Sequence, residues 1–206
     1  MHVLEISPGS GWYTEIIGDY LDEGRLYLAI PPKDSEREYR VKQHKTIKEK
    51  VSKSPKIYKD VVYSAFEPPN LISPLAPENT VDMVLTFRNV HGWVGSGKAQ
   101  EVFNEFHRVL KPGGVLGLVT HRASDKTPQD KKAKNGYVRE DHVVMLAEKA
   151  GFKLIGKSEI NANPKDTKDY KNGVWTLPPS LRNKEKNKQK YLDIGESDRM
   201  TLKFKK

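Results

Sequence analysis

Short apolar runs and amphipathic stretches alternate along most of this 206-residue chain. The run HVLEI (2–6) is apolar and partly β-branched, as a buried strand is. WYTEIIGDYLDEG (12–24) follows, with Trp12, Ile16, Ile17, Tyr20 and Leu21 on helical spacing and Gly24 where a helix closes. The same reading predicts strands over 25–30, 59–66, 81–87, 115–121, 152–160 and 199–206. It predicts helices over 34–54, 98–110 and 139–151, the first a charged surface helix with weak periodicity. VDMVLTF (81–87) is almost wholly apolar, the pattern of a central parallel strand. In 98–110, Val102, Phe103, Phe106, Val109 and Leu110 share one face. Lys111-Pro112-Gly113-Gly114 then stops the helix and turns the chain. The stretches 67–80, 88–97, 122–137 and 161–181 read as loops.

This alternation predicts an α/β fold: a Rossmann-like, doubly wound, mostly parallel sheet with an antiparallel edge strand and helices on both faces. The last two strands, separated by a long excursion, are the expected antiparallel pair. Hydrophobic residues make up only 36% of the chain, but they are clustered enough to build one core. No run approaches the ~20 apolar residues of a membrane helix, and no secretory pattern precedes the first strand. The first strand begins so close to Met1 that a further N-terminal segment covering its edge is expected. The absence of cysteine excludes disulfides, thiolate zinc sites and a cysteine nucleophile. No histidine pair has a carboxylate at metal-ligand spacing, so no metal is expected.

Net charge is +9, and the excess is mostly lysine. Residues 33–59 hold ten basic side chains, and 182–190 hold five against one acid. Nucleic-acid surfaces interleave arginines and aromatics with lysines, and these segments barely do. They read as solvated faces.

The stretch VLEISPGSG places an acid, Glu5, at the end of the first strand, followed by a turn containing Gly9 and Gly11. In a doubly wound sheet that turn is the floor of the ligand site. Its glycines let a ligand touch the backbone, and the next helix offers free N–H groups. A dinucleotide fingerprint has three glycines and an acid some 20 residues later. Here the acid precedes the turn, where it would repel a pyrophosphate and suit a ligand with a positive group.

The pattern resembles the first motif of the class I S-adenosylmethionine-dependent methyltransferases, with Ser7 and Ser10 standing where two of the family's glycines would be. VDMVLTFRNVHGW is similar to the family's fourth motif, and VFNEFHRVLKPGGVLGLVTHR to its following helix, turn and fifth strand. The resemblance covers roughly residues 3–160. The tail, SEINANPKDTKDYKNGVWTLPPSL with YLDIGESDRMTLKF, resembles a bacterial subfamily of predicted methyltransferases with no settled substrate. That subfamily extends further N-terminally, and in class I enzymes such a segment often forms a lid. The resemblance implies one domain over 1–206, with a cofactor half at about 1–90 and a substrate half at about 91–206. The irregular segment 161–198 belongs to the second half, and the expected compartment is the cytoplasm.

S-adenosylmethionine is the implied cofactor, and S-adenosylhomocysteine the product. Glu5, Ser7, Gly9, Ser10 and Gly11 would hold the methionine end, with Phe66 near the adenine and Asn89 facing the cofactor. The family's ribose-binding acid is missing, because the second strand ends Ala29-Ile30-Pro31-Pro32. Asp34 is the nearest substitute. His91 and His121, each at a strand end over the crevice, are candidate general bases. Arg88, Arg122, Asn161, Asn163, Asp166 and Trp175 are candidate substrate contacts. Arg88 could equally sit in an ion pair, and Glu196, Asp198 and Arg199 could form an ion cluster. The expected partner is a small-molecule acceptor. An RNA or protein methyltransferase, a non-catalytic binding module and a nucleotide-binding oxidoreductase are the rivals.

Overall fold

The computed structural model describes residues 1–21 and 23–206. Its strands are β1 (His2–Ile6), β2 (Arg25–Ile30), β3 (Val62–Ala65), β4 (Val81–Phe87), β5 (Leu110–His121), β6 (Lys153–Ser158) and β7 (Arg199–Lys205). Its helices are α1 (Trp12–Tyr20), α2 (Glu38–Lys53), α3 (Val90–Gly95), α4 (Ala99–Val109), α5 (Glu140–Lys149) and α6 (Lys188–Ile194). The strands form a single sheet in the order β3-β2-β1-β4-β5-β7-β6. All neighbours are parallel except β7, which runs antiparallel to both β5 and β6. The antiparallel strand therefore lies one place in from the edge, and β6 is the edge itself.

Alternation along β2 shows how the layers separate. Leu26, Leu28 and Ile30 pack with Ile47 and Val51 of α2 and with Ile17 of α1. Tyr27 and Ala29 point the other way, into the larger core with α3, α4 and α5. That core is strongly aromatic. Trp93 meets Phe66, Phe103 and Phe106 edge-on, at ring separations of 6.0, 6.4 and 5.5 Å. Edge-to-face contacts suit the ring quadrupoles and add to the burial itself.

Several expected boundaries move. The loop predicted over 88–97 contains α3. Val90, Trp93 and Val94 are buried on it at i, i+3, i+4 spacing, a signal that the interspersed glycines conceal. The third strand is shorter than predicted, starting after Asp60 at φ 52°. Lys111-Pro112-Gly113-Gly114 belongs to the start of β5, where the pairing with β4 shifts register. Helix α6 forms inside the lysine-rich tail and buries none of its side chains. Helix α1 ends at Tyr20, and Asp22, which the periodicity places inside this helix, lies outside the described residues. β1 has no open edge, because β2 and β4 flank it. No helix among the described residues is long and apolar enough to cross a membrane.

Gly11 caps α1 with φ 79°, and a Cβ there would come within 2.7 Å of Ile47 Cδ1. Both the left-handed backbone and the close approach of α2 require glycine. Gly11→Ala is expected to cost about 1–3 kcal/mol of stability, read as a lower denaturant midpoint with an unchanged m-value. An unchanged midpoint would show that α2 can retreat from the turn.

Candidate functional site

The strands are laid down outward in opposite senses from β1 and β4, which run parallel to each other. The loops leaving their carboxyl ends therefore part and open a crevice. Two adjoining cavities occupy it. The inner one, about 260 Å³, is walled by Glu5, Gly9, Tyr13, His121, Ser197 and Arg199. The outer one, about 770 Å³, is walled by Phe66, Pro68, Trp93, Arg37 and Arg182. Ser7, Arg40, Gln43, Arg88, Asn89, His91 and Trp175 border both.

Glu5 sits at the end of β1 with 1% of its surface exposed. Thr14, in the first turn of α1, donates a 2.6 Å hydrogen bond to it. Burial pushes the Glu5 carboxyl up to about 7, against the lowering effects of Thr14 and Lys50. The turn after β1 bends through Ser7 at φ 50° and Gly9 at φ 62°. A Cβ on Gly9 would meet no atom within 4 Å, so this glycine faces open cavity. Asn89 ties the crevice floor together, its Nδ2 donating to Ile6 O at 3.0 Å and Thr86 Oγ1 at 3.2 Å. Tyr13 stacks on Phe87 with ring centroids 3.7 Å apart, joining α1 to the end of β4.

The two candidate histidines meet, with ring centroids 5.9 Å apart. Trp175 packs edge-on against His91 at 5.7 Å. His121 Nδ1 lies 2.6 Å from Ser197 Oγ. Nδ1 of His91 is buried without a hydrogen-bond partner. Burial lowers His91 to about 4. Burial lowers His121 to about 3, helped by the positive charges of His91, Arg88 and Arg199. Both imidazoles are therefore neutral near pH 7.

These shifts make an acid-labile fold. An unfolded histidine takes up a proton near its ordinary 6.5, while the folded pair resists until about 4 and 3. Stability therefore falls as pH drops from about 6.5 toward 4. Glu5 acts the other way: it keeps its proton in the fold up to about 7, so its contribution is largest in acid and fades as pH rises through 7. Two histidines against one carboxyl leave acid destabilisation ahead. His121→Asn should reduce the slope of stability against pH between 6.5 and 4 by close to one proton, or about 1.4 kcal/mol per pH unit. Denaturant titrations at several pH values would measure this, and an unaltered slope would mean that His121 is charged in the fold.

Of the other sequence candidates, Ser7, Gly9, Phe66, Arg88, Asn89 and Trp175 border the cavities. Ser10 is exposed and lines neither cavity, and Gly11 packs on α2. Arg122, Asn161, Asn163 and Asp166 do not line the crevice. Arg122 is bound by Glu159 and Asp198, at 2.6 and 2.9 Å. Asn161 donates to Thr201 Oγ1, and Asn163 donates to the carbonyls of Ile194 and Glu196. Asp166 is buried beneath Tyr137, whose hydroxyl donates to it. Asp198 belongs to this cluster; burial works to raise it, but Arg122 and Lys168 hold it down to about 2. These polar residues leave the ends of β5 and β6 and satisfy one another, because loops that close a buried end must pair their own polar groups. Asp34 is exposed and does not reach the crevice.

Sequence reading missed Arg40 and Gln43. They lie on α2, which reads as a solvated helix, yet its N-terminal half borders both cavities. Ser197 and Arg182 were missed because their segment lacks periodicity, whereas Arg199, read as part of an ion cluster, does pair with Glu196 and also walls the inner cavity. Among the described residues there is no cluster of groups that could hold a metal ion.

A family described as a methyltransferase domain matches residues 4–118, more than half of the chain. The structure is similar to a SAM-dependent methyltransferase from Aquifex aeolicus, at 20% identity and TM-score 0.61 over 100% of this chain and 81% of that one. It is similar to the [4+2]-cyclase SpnF, at 12% identity and TM-score 0.66 over 100% and 74%. It is also similar to a SAM-dependent methyltransferase from Methanosarcina mazei, at 12% identity and TM-score 0.61 over 100% and 92%. No curated protein matches the sequence. The strand order with its single reversed strand, together with a family match that runs from β1 into β5, makes this chain a member of the methyltransferase-domain family, an S-adenosylmethionine-dependent methyltransferase.

Proposed function

We propose that the protein transfers a methyl group to a small-molecule acceptor inside the crevice, with the cofactor lying across both cavities. The observation that carries this is the buried Glu5 carboxylate beside the open face of Gly9. Thr14 is its only hydrogen-bond donor among the described residues, which leaves it free to take an ammonium group. The pair fits the methionine end of S-adenosylmethionine. Phe66 and Trp93 offer the outer cavity an apolar wall suited to adenine. Gln43 takes the ribose in place of the missing acid. Arg40 Nη1 donates to Gln43 Oε1 at 3.3 Å, which turns the amide donors of Gln43 outward.

When bound, S-adenosylmethionine supplies a methyl group already activated by its sulfonium. The protein has then to align the acceptor and remove its proton. His91 is the candidate for that role, because its Nδ1 is unpartnered at the wall of both cavities. His121 and Ser197 hold the neighbouring wall. The likeness to a cyclase shows that this fold alone does not fix the chemistry, so the acceptor must be found by assay.

The test begins with calorimetric titration of S-adenosylhomocysteine. A screen follows, using methyl-labelled S-adenosylmethionine against small molecules, RNA and protein fractions. His91→Ala should keep product binding and lose about 10²–10⁴-fold in turnover. Label entering RNA or protein and not small molecules would overturn the acceptor assignment. Absence of any product binding would overturn the cofactor site.

A further inference from the structure

The partly buried arginines of this protein fall into two groups. Arg108, Arg122, Arg139 and Arg199 are partly buried, and each holds a carboxylate. Arg40 and Arg88 are placed as deeply, yet neither holds a carboxylate among the described residues. Both border both cavities. Among the described residues the side-chain partners of Arg40 are neutral, Tyr39 and Gln43. Arg88 has no side-chain hydrogen bond among the described residues. Its backbone is held at φ 63° by a 2.7 Å bond from its N–H to Val119 O, which fixes where the side chain leaves the strand. Arg182 adds a third cation at the outer rim, stacked 4.8 Å above Trp175.

The acids of the crevice do not balance this charge. Glu196 is engaged by Arg199, and Glu5 is the partner for the cofactor's ammonium. The sulfonium brings a further positive charge. The cofactor's single carboxylate can neutralise one guanidinium but not both. Partly desolvated like charges repel unless a counter-ion joins them.

We propose that the methyl acceptor is itself a small oxyanion, a carboxylate or phosphate monoester, and that its charge docks on Arg88. This rests on the S-adenosylmethionine site proposed above. Arg88 and His91 wall the same two cavities, so an anion held on Arg88 shares the crevice with the unpartnered Nδ1. The same anion raises the proton affinity of His91, which burial alone depresses. Binding of the correct acceptor would then make His91 a stronger base.

The experiment uses the full chain saturated with S-adenosylhomocysteine. Benzoate, phenyl phosphate, benzamide and benzylamine are titrated in turn by calorimetry, with a single-stranded oligonucleotide as a further arm. Benzoate or phenyl phosphate should bind at least about tenfold more tightly than the amide and the amine. Which of the two wins identifies carboxylate or phosphate as the source. Arg88→Gln should weaken that anion about tenfold or more, while the dissociation constant of S-adenosylhomocysteine changes by less than about threefold. Equal binding of neutral and anionic probes, or no anion binding at all, overturns the proposal. So does an Arg88→Gln variant that loses S-adenosylhomocysteine, since Arg88 would then hold the cofactor's carboxylate. Oligonucleotide binding without small-anion binding also overturns it, in favour of a nucleic-acid acceptor. Failure of the wild type to bind S-adenosylhomocysteine removes the cofactor site, and the proposal with it.

Discussion

Glu5→Ala is expected to weaken S-adenosylmethionine binding by about thirtyfold or more. Removing one member of a buried, hydrogen-bonded charge pair costs about 2–5 kcal/mol, and each 1.4 kcal/mol is about tenfold in affinity. Stability of the ligand-free protein should change by no more than about 1 kcal/mol, the worth of the lost Thr14 bond. The burial that raises the Glu5 carboxyl already makes its ionised form costly in the empty site. That contrast separates loss of a ligand group from loss of the fold. The pH dependence gives a second reading. With its value near 7, Glu5 in the empty site must release a proton before it can pair with an ammonium. Wild-type affinity should therefore fall as pH drops below 7, by up to about tenfold per unit. In Glu5→Gln it should be weak and flat. A flat wild-type profile would place the ammonium elsewhere.

Asp166→Ala should give the largest loss of stability, about 3–5 kcal/mol. Asp166 is 5% exposed and accepts from the Tyr137 hydroxyl, at 3.0 and 2.9 Å. It also accepts the backbone N–H of Asp198 at 2.8 Å and of Lys168 at 3.0 Å. Alanine would orphan these donors in a largely buried place, and each orphan costs about 1–3 kcal/mol. Asp198 then loses its position, and with it the pairing to Arg122 and Lys168. Asp166→Asn should lie between the two, because one of its amide hydrogens must face a donor. Chemical denaturation would measure both. A loss below about 1 kcal/mol would mean that water replaces the carboxylate. Asp166 was expected to touch substrate; its effect on turnover should instead come through the wall that carries Ser197.

The sequence carries local information well. Strand and helix types follow from periodicity, and VDMVLTF reads as β4 to the residue. The acid and glycine turn after β1 can be read directly, because one short segment both forms the turn and lines the crevice. The family resemblance is legible for the same reason: its motifs are contiguous. Segments with mixed signals are less legible. The glycines of α3 disguise its buried face, and the lysines of α2 disguise the end that borders the crevice.

Long-range pairing is what the sequence could not show. Arg88 and Arg122 look alike as residues in a string, each just after a buried strand. The structure brings Asp198, 76 positions away, onto Arg122 and, among the described residues, brings no acid onto Arg88. Whether an arginine is neutralised at home or left for a ligand depends on which distant loop folds over it. In the same way, His91 and His121 become a pair only because β4 and β5 are neighbours. Local sequence was enough for the fold class, the acid-and-glycine turn that borders the crevice and the strand ends around it. Packing in three dimensions chose which of those side chains remain without a partner, since contacts between distant segments leave no periodic trace along the chain.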